Sequence, residues 1–305
     1  MNLKIFIWLV ILGWIWGPAF LFIKVAVYEI PPLTLMATRV SLAAAILYLF
    51  LRFQGRHLPR FGAIWKHFAV VGLVSSALPF ALTSWGEQYI DSALAAILTG
   101  TTPLFTLILA HLFTSDDRLT LTKGAGVLLG FGGLTVLVTP ALLDGLQATT
   151  WGLLATIVAA ASYGIGIVFA RQHLRGLPPL VVPTAQLVMA AVYLLPLAMV
   201  VEQPYTMPFP SWSALASLLA LAVGCTVLTF MLYYWLMEQA SATSLSMIAY
   251  LAPLVAVILG VTILGEQLGW NAYLGCGLIL LGVMAVNGLF QAGDPRRLRS
   301  ATVRS

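Results

Sequence analysis

Charge is what this sequence most conspicuously lacks. Only 8% of its 305 residues are Asp, Glu, Lys or Arg, whereas 61% are hydrophobic and the mean hydropathy is +0.99. Soluble domains carry about 25% charged residues, so a soluble globular chain is excluded. Cysteine is nearly absent: Cys225 and Cys276 lie in apolar runs without Cys-x-x-Cys spacing, which indicates neither a disulfide framework nor a metal site. No Gly-rich phosphate loop is present and no polar stretch is left for an extramembrane domain, so neither ATP chemistry nor any cofactor is expected. A small-x-small cleavage site is missing between Lys4 and Lys24, and the long apolar run Ile5 to Ile23 therefore reads as a first span rather than a signal peptide.

Long apolar runs are what remains. Broken by charge, Pro and Gly, they predict an all-α membrane protein of ten transmembrane helices, near 4–27, 33–51, 64–85, 91–113, 121–140, 151–171, 180–201, 212–237, 243–264 and 270–290. A crossing needs about 20 apolar residues, and ten of them consume most of the chain. Lys4, Arg52, Arg56, Arg60, Lys66, Arg118, Lys123, Arg171, Arg175 and the tail residues Arg296, Arg297, Arg299 and Arg304 all fall on the N-terminal side. The opposite connections hold Glu29, Glu87, Asp91, Asp144, Glu202 and Glu266 and no Lys or Arg. Basic residues stay in the cytoplasm, so both termini are expected there; membrane topology, not nucleic acid, accounts for the net charge of +5. Trp151, Trp212 and Trp270 open spans on the outer side and Trp65 on the inner, the positions of an aromatic belt.

The two halves repeat. Gly17, Lys24 and Pro31-Pro32 return 147 positions later as Gly164, Arg171 and Pro178-Pro179. Glu87-Gln88 returns as Glu238-Gln239, Pro103-Leu104 as Pro253-Leu254, and Gly124 and Gly126 as Gly275 and Gly277, while Asp116 falls opposite Glu266. Each copy holds an odd number of spans, so the second must be inverted. The expected units are residues 1–145, 146–292 and a basic cytoplasmic tail, 293–305. Inverted halves can exchange conformations about a midplane site, which is the architecture of a carrier; a duplication that only packs, as in a scaffold, is the alternative.

The run Gly13-Trp14-Ile15-Trp16-Gly17-Pro18, with Lys24, Arg39, Pro103, Pro253 and the Leu264-Gly265-Glu266 ending of span 9, resembles the EamA family of the drug/metabolite transporter superfamily. The resemblance covers both halves and is greatest to bacterial amino acid exporters, aromatic ones included. It implies a multi-pass carrier of the bacterial inner membrane that moves amino acids outward. A drug or other metabolite carrier of the same fold is the alternative. Where the family has Glu at the end of span 4, this chain has Asp116-Asp117.

Site candidates follow from polar and aromatic residues at mid-depth, since a pathway must replace part of the solute's hydration. Trp16 and its repeat mate Tyr163 offer wide apolar faces with one donor each, for substrate or for helix packing. Trp14 accompanies Trp16. Thr99, Thr101 and Thr102 precede Pro103, and Ser244, Ser246 and Tyr250 precede Pro253; these prolines free the carbonyls of Thr99 and Ala249 for a ligand ammonium or for repair by the hydroxyls. Trp85 and Gln88 end span 3, and Tyr234 and Gln239 end span 8, on opposite faces; with Pro103 and Pro253 they are the gate or vestibule candidates. Gln186 stands level by repeat with Arg39. Lys24 and Arg39 must find a carbonyl, Glu29 or a substrate carboxylate, or snorkel outward. His111 reads as a satisfied polar residue rather than a proton relay. No paired carboxylates or nucleophile-base set occurs at mid-depth, so an intramembrane enzyme is not expected. With every acidic residue in a connection, at a span end or in the tail, downhill transport is the expectation.

Overall fold

The structure is a computed structural model that describes residues 3–114, 119–240 and 242–288, excepting the side chains of Ala242 and Thr243. Asp116, Asp117, Arg118 and the predicted tail lie outside the described residues. Secondary structure among the described residues is helical throughout. Eight helices are long and apolar enough to cross a membrane: α1 (Leu3–Ala26), α2 (Pro32–Phe53), α3 (Ile64–Gly86), α4 (Ser92–Phe113), α5 (Leu121–Leu143), α6 (Ala148–His173), α7 (Val181–Val201) and α8 (Trp212–Gln239). Two shorter apolar helices follow, α9 (Ile248–Ile263) and α10 (Trp270–Val286). The predicted continuous span over 243–264 is therefore interrupted, a single turn at Ala242–Leu245 being set off from α9 at Ser246-Met247.

Several long helices are broken where the sequence removes a backbone donor. In α1 the break is at Gly17-Pro18, and in α4 at Gly100-Thr101, just before Pro103. α3 widens into a π-turn at Leu73–Ala77. Pro79 cannot donate to Ser75, and the carbonyls of that turn are met from other helices, Val74 by Ser162 Oγ at 2.7 Å and Ser75 by Gln186 Nε2 at 3.4 Å. α8 widens at Ala220–Leu228, where the Thr226 and Thr229 hydroxyls reach back five residues to Leu221 and Gly224.

Glycine permits the closest helix crossings, as packing between helices in lipid requires. α5 and α10 form the most extensive helix pair. A Cβ on Gly133 would come within 2.7 Å of the Gly275 carbonyl, and one on Gly126 within 2.8 Å of that of Gly282. Gly17 of α1 lies against Val255 and the Ala252 carbonyl of α9, and its repeat mate Gly164 of α6 lies against Phe105 and Thr106 of α4. The same kind of crossing is thus made twice, each time between the two halves of the sequence. Trp151, Trp212 and Trp270 are 50%, 85% and 74% exposed at helix starts, as an anchoring belt would be.

Candidate functional site

Two charged side chains are buried among the described residues, Arg39 and Glu87. Arg39, on α2, is 4% exposed and does not snorkel. Its Nε donates to Thr226 Oγ1 in the α8 π-turn at 3.0 Å, Nη1 reaches Met36 Sδ at 3.7 Å, and the guanidinium lies 4.3 Å from the centre of the Phe80 ring. Tyr163 of α6 meets Phe80 edge-on, with centroids 6.3 Å apart. Tyr163, Cys225 and Glu87 are within electrostatic reach of the guanidinium, yet none forms an ion pair with it. Trp16 and Phe80 pack against one hydrophobic cluster, which contains Met36, Val40 and Cys225. Tyr163 thus lies beside the aromatic ring that faces the cation, Trp16 packs against the same hydrophobic cluster as Phe80, and Trp14 is half-exposed.

The joint around Arg39 has a counterpart. Gln186, its repeat mate on α7, donates to Ser76 Oγ in the α3 π-turn at 2.7 Å. One joint holds α2 to the π-turn of α8, the other holds α7 to the π-turn of α3. Their difference is chemical: the first carries a permanent charge and the second a neutral amide.

The hydroxyl candidates are differently placed. Thr99, Thr101 and Thr102 donate to the carbonyls of Ala95, Leu98 and Thr99 at 2.8, 2.6 and 2.7 Å. The carbonyl that Pro103 frees is thus taken by Thr102, and these hydroxyls repair the kink. Tyr250 Oη donates to the Val283 carbonyl at 3.1 Å and accepts from Asn287 Nδ2 at 2.5 Å, which turns it toward α10. Ser244 and Ser246 are half-buried at the break before α9. Pro253 is buried within α9, its Cγ 3.1 Å from where a Cβ on Gly100 would stand, so the α4 break rests against this proline. Trp85 stacks edge-on with Tyr89 at 5.1 Å and Gln88 is exposed; at the far end Tyr234 packs among Leu51, Phe68 and Val181, and Gln239 is exposed. His111 Nδ1 accepts from the Leu119 amide at 3.3 Å, a satisfied side chain.

At one end of the bundle, carboxylates cap helix starts across the halves and tie them together. Glu202 accepts from the Leu33 and Thr34 amides at 2.9 and 2.7 Å and from Thr34 Oγ1 at 2.7 Å. Glu266 accepts from the Ser92 and Ala93 amides at 2.7 and 3.0 Å. Glu29 accepts from the Ser211 amide and hydroxyl, both at 2.6 Å. The Ser211 hydroxyl, then its amide, hold the Glu29 carboxyl below the usual range. Each carboxylate meets orphan amides and the positive end of a helix dipole. Lys24 Nζ closes the complementary site, donating to the carbonyls of Glu87 and Ile90 at 2.7 and 2.8 Å. A cavity of about 170 Å³ at this acidic end, lined by Asp91, Asp144, Gln267 and Asn271 among others, is smaller than the roughly 300 Å³ at which small-molecule sites begin. Glu87, expected at the edge of a connection, is fully buried.

The sequence did not point to Phe80, Thr226 or the capping carboxylates. The level of Arg39 with Gln186 was the available signal for the paired joints.

A family model described as the EamA-like transporter family matches residues 3–139 and again 150–288. The "Uncharacterized transporter YoaV" of Bacillus subtilis is 28% identical over 92% of this chain and 95% of its own length. The "Uncharacterized inner membrane transporter YedA" of Escherichia coli is 28% identical over 89% of this chain and 87% of its own. A solved crystal structure aligns with a TM-score of 0.63 at 19% identity, over 92% of this chain and 98% of that one, which is a likeness of fold.

Proposed function

We propose, on the premise that this chain belongs to the EamA-like transporter family, that it exports amino acids, neutral and aromatic ones included, by alternating access. Ten crossings are counted by adding α9 and α10, of 16 and 17 residues, to the eight longer helices. At 1.5 Å per residue these two reach about 25 Å, a mismatch with a core of about 30 Å that local thinning accommodates. Residues 1–145 and 146–292 then form inverted halves, with the basic end and both termini in the cytoplasm and the acidic end outside. The doubled family match and the paired crossings at Gly17 and Gly164 support that arrangement.

The observation that carries the substrate class is Arg39. A buried guanidinium with a hydroxyl, a sulfur and an aromatic face as neighbours, and no carboxylate, is short of an anion. A substrate carboxylate would supply it in bidentate form, and Trp16, Phe80 and Tyr163 would take an apolar side chain alongside. Opening of the basic end exposes this site inward while the capped acidic end stays shut; opening of the acidic end releases the solute outward.

Counterflow in proteoliposomes tests the proposal. Vesicles preloaded with unlabelled tryptophan or alanine are expected to take up the labelled amino acid transiently, and amino acid amides, which lack the carboxylate, are expected to compete poorly. Absence of amino acid counterflow overturns the export reading; equal competition by amides overturns the role of Arg39.

A further inference from the structure

The other buried charge, Glu87, takes no part in the proposed binding at Arg39. Glu87 follows the last residue of α3, is 0% exposed, and has no hydrogen-bond partner on either carboxylate oxygen. The hydroxyls of Thr83 and Ser84, on the turn before it, and of Ser92, at the start of α4, are likewise buried and unpartnered. Every charged group facing it is engaged elsewhere. Lys24, from α1, gives Nζ to the main-chain carbonyls of Glu87 and Ile90 rather than to the carboxylate. Arg39, from α2, is held by Thr226. Glu266, from the connection after α9, is negative and spends its oxygens on the α4 start. Asp91, in the same connection as Glu87, is only half-buried.

An ionised carboxylate sealed from water without a partner costs several kcal/mol, and a neutral carboxyl avoids most of that cost. Burial, outweighing the attraction of Lys24 and Arg39, pushes the Glu87 carboxyl well above the usual range. The same burial depends on closure: Glu87 is covered because Lys24 and Glu266 draw α1, α3 and α4 together at the acidic end. Separation of these elements would admit water and free Lys24 to pair with the carboxylate.

We propose that Glu87 is a proton-binding site of the transport cycle. Its carboxylate takes one proton from water as the acidic end closes, and the O–H bond breaks and returns that proton to water as the end opens. The site needs no metal or other co-reactant, and closure becomes easier as the medium at that end is acidified. Its consequence for flux rests on the transporter reading; the protonation itself does not.

Infrared spectroscopy of the purified protein at pH 7 separates the two. The expected result is a C=O stretch of a protonated carboxylic acid in the wild type that Glu87→Gln lacks. If the variant fails to fold, titration of the wild-type band still decides, because the carboxyls exposed to water have lost their protons by that pH. A wild type with no such band overturns the proposal. In counterflow at symmetric pH, Glu87→Gln is expected to flatten the dependence of exchange on pH, and an unchanged wild-type profile in the variant also overturns it. Absence of counterflow in both proteins, with the infrared band present, removes the transport reading and leaves the proton site standing.

Discussion

Removal of the Glu202 carboxylate is the most direct perturbation of the closed end. In this structure it takes three hydrogen bonds at the start of α2, from the Leu33 and Thr34 amides and the Thr34 hydroxyl, at 2.7 to 2.9 Å. A hydrogen bond to a charged group is worth about 1.5–3 kcal/mol net. The three share one carboxylate that is partly open to water, so they do not add; about 2–3 kcal/mol for Glu202→Ala is the reasonable loss to the closed state. At 1.4 kcal/mol per decade, that shifts the closed-to-open equilibrium about 30- to 140-fold. Val27, 5% exposed at the end of α1, is a suitable reporter. In a chain with Cys225 and Cys276 replaced by Ala, a cysteine introduced at Val27 is labelled by a membrane-impermeant maleimide only while the acidic end is open. When opening is fast, the labelling rate follows the open population and rises by that factor in Glu202→Ala, and by less in Glu202→Gln, which keeps an acceptor. A rate equal to the parent's would refute the assignment of Glu202 to closure.

Further outcomes are expected. Gly133→Ala places a methyl against the Gly275 carbonyl and the Leu278 side chain and costs about 1–3 kcal/mol, read as a lower melting temperature in detergent, whereas Gly132→Ala meets nothing within 4 Å and leaves it unchanged or higher. Arg39→Gln removes the charge proposed to hold the substrate carboxylate and, at about 2 kcal/mol for a charged hydrogen bond, raises KM for amino acid counterflow about 30-fold; Trp16→Ala and Tyr163→Ala change the ratio of tryptophan to alanine transport. Glu29 has its carboxyl lowered by Ser211, so its contribution to closure is present above the usual carboxylate pKa and is lost as pH falls through the lowered value. Reporter labelling should therefore rise on the acid side in the parent, and Glu29→Gln should lack that part of the rise. For Glu87 the sign is opposite: the folded state holds a proton that the unfolded state releases, so stability declines as pH climbs above the usual carboxylate pKa, and Glu87→Gln removes that slope in melting measurements.

Hydropathy and the repeat made the helical membrane fold legible because both are written residue by residue. An apolar run reports its own burial in lipid, and landmarks such as Gly17 and Gly164 mark the same crossing whichever half carries them. The site was legible only in part. Trp16 and Tyr163 stand out in the sequence as candidates because large aromatics far from a span end are uncommon, whereas Thr99, Thr101 and Thr102 look identical whether they face a ligand or their own backbone. Rotamer and kink geometry decide between those, and neither is encoded locally. The burial of Glu87 was not legible for a related reason. Its position at the end of a helix suggests exposure, and only the approach of α1, α4 and Glu266 from distant parts of the chain seals it.

The two π-turns give the paired joints their physical sense. A π-turn leaves carbonyls without their ordinary partners, so a neighbouring helix can grip the backbone of α3 or α8 through a side chain. Gln186 reaches the Ser75 carbonyl and the Ser76 hydroxyl, and Arg39 reaches the Thr226 hydroxyl, which itself donates to the Leu221 carbonyl; the two joints are at repeat-related places, but a purely mechanical pair would need no charge at either. A cation retained in lipid at one joint only, with a cost that an amide would not incur, implies a load that the amide joint does not bear. Under the proposed function a solute carboxylate would be such a load, neutralising Arg39 when present and leaving it unbalanced when absent. The empty carrier would then be held back by its own uncompensated charge, and the loaded carrier released. On this reasoning the asymmetry between Arg39 and Gln186 would make conformational exchange depend on substrate, and Arg39→Gln would let the empty carrier exchange as fast as the loaded one.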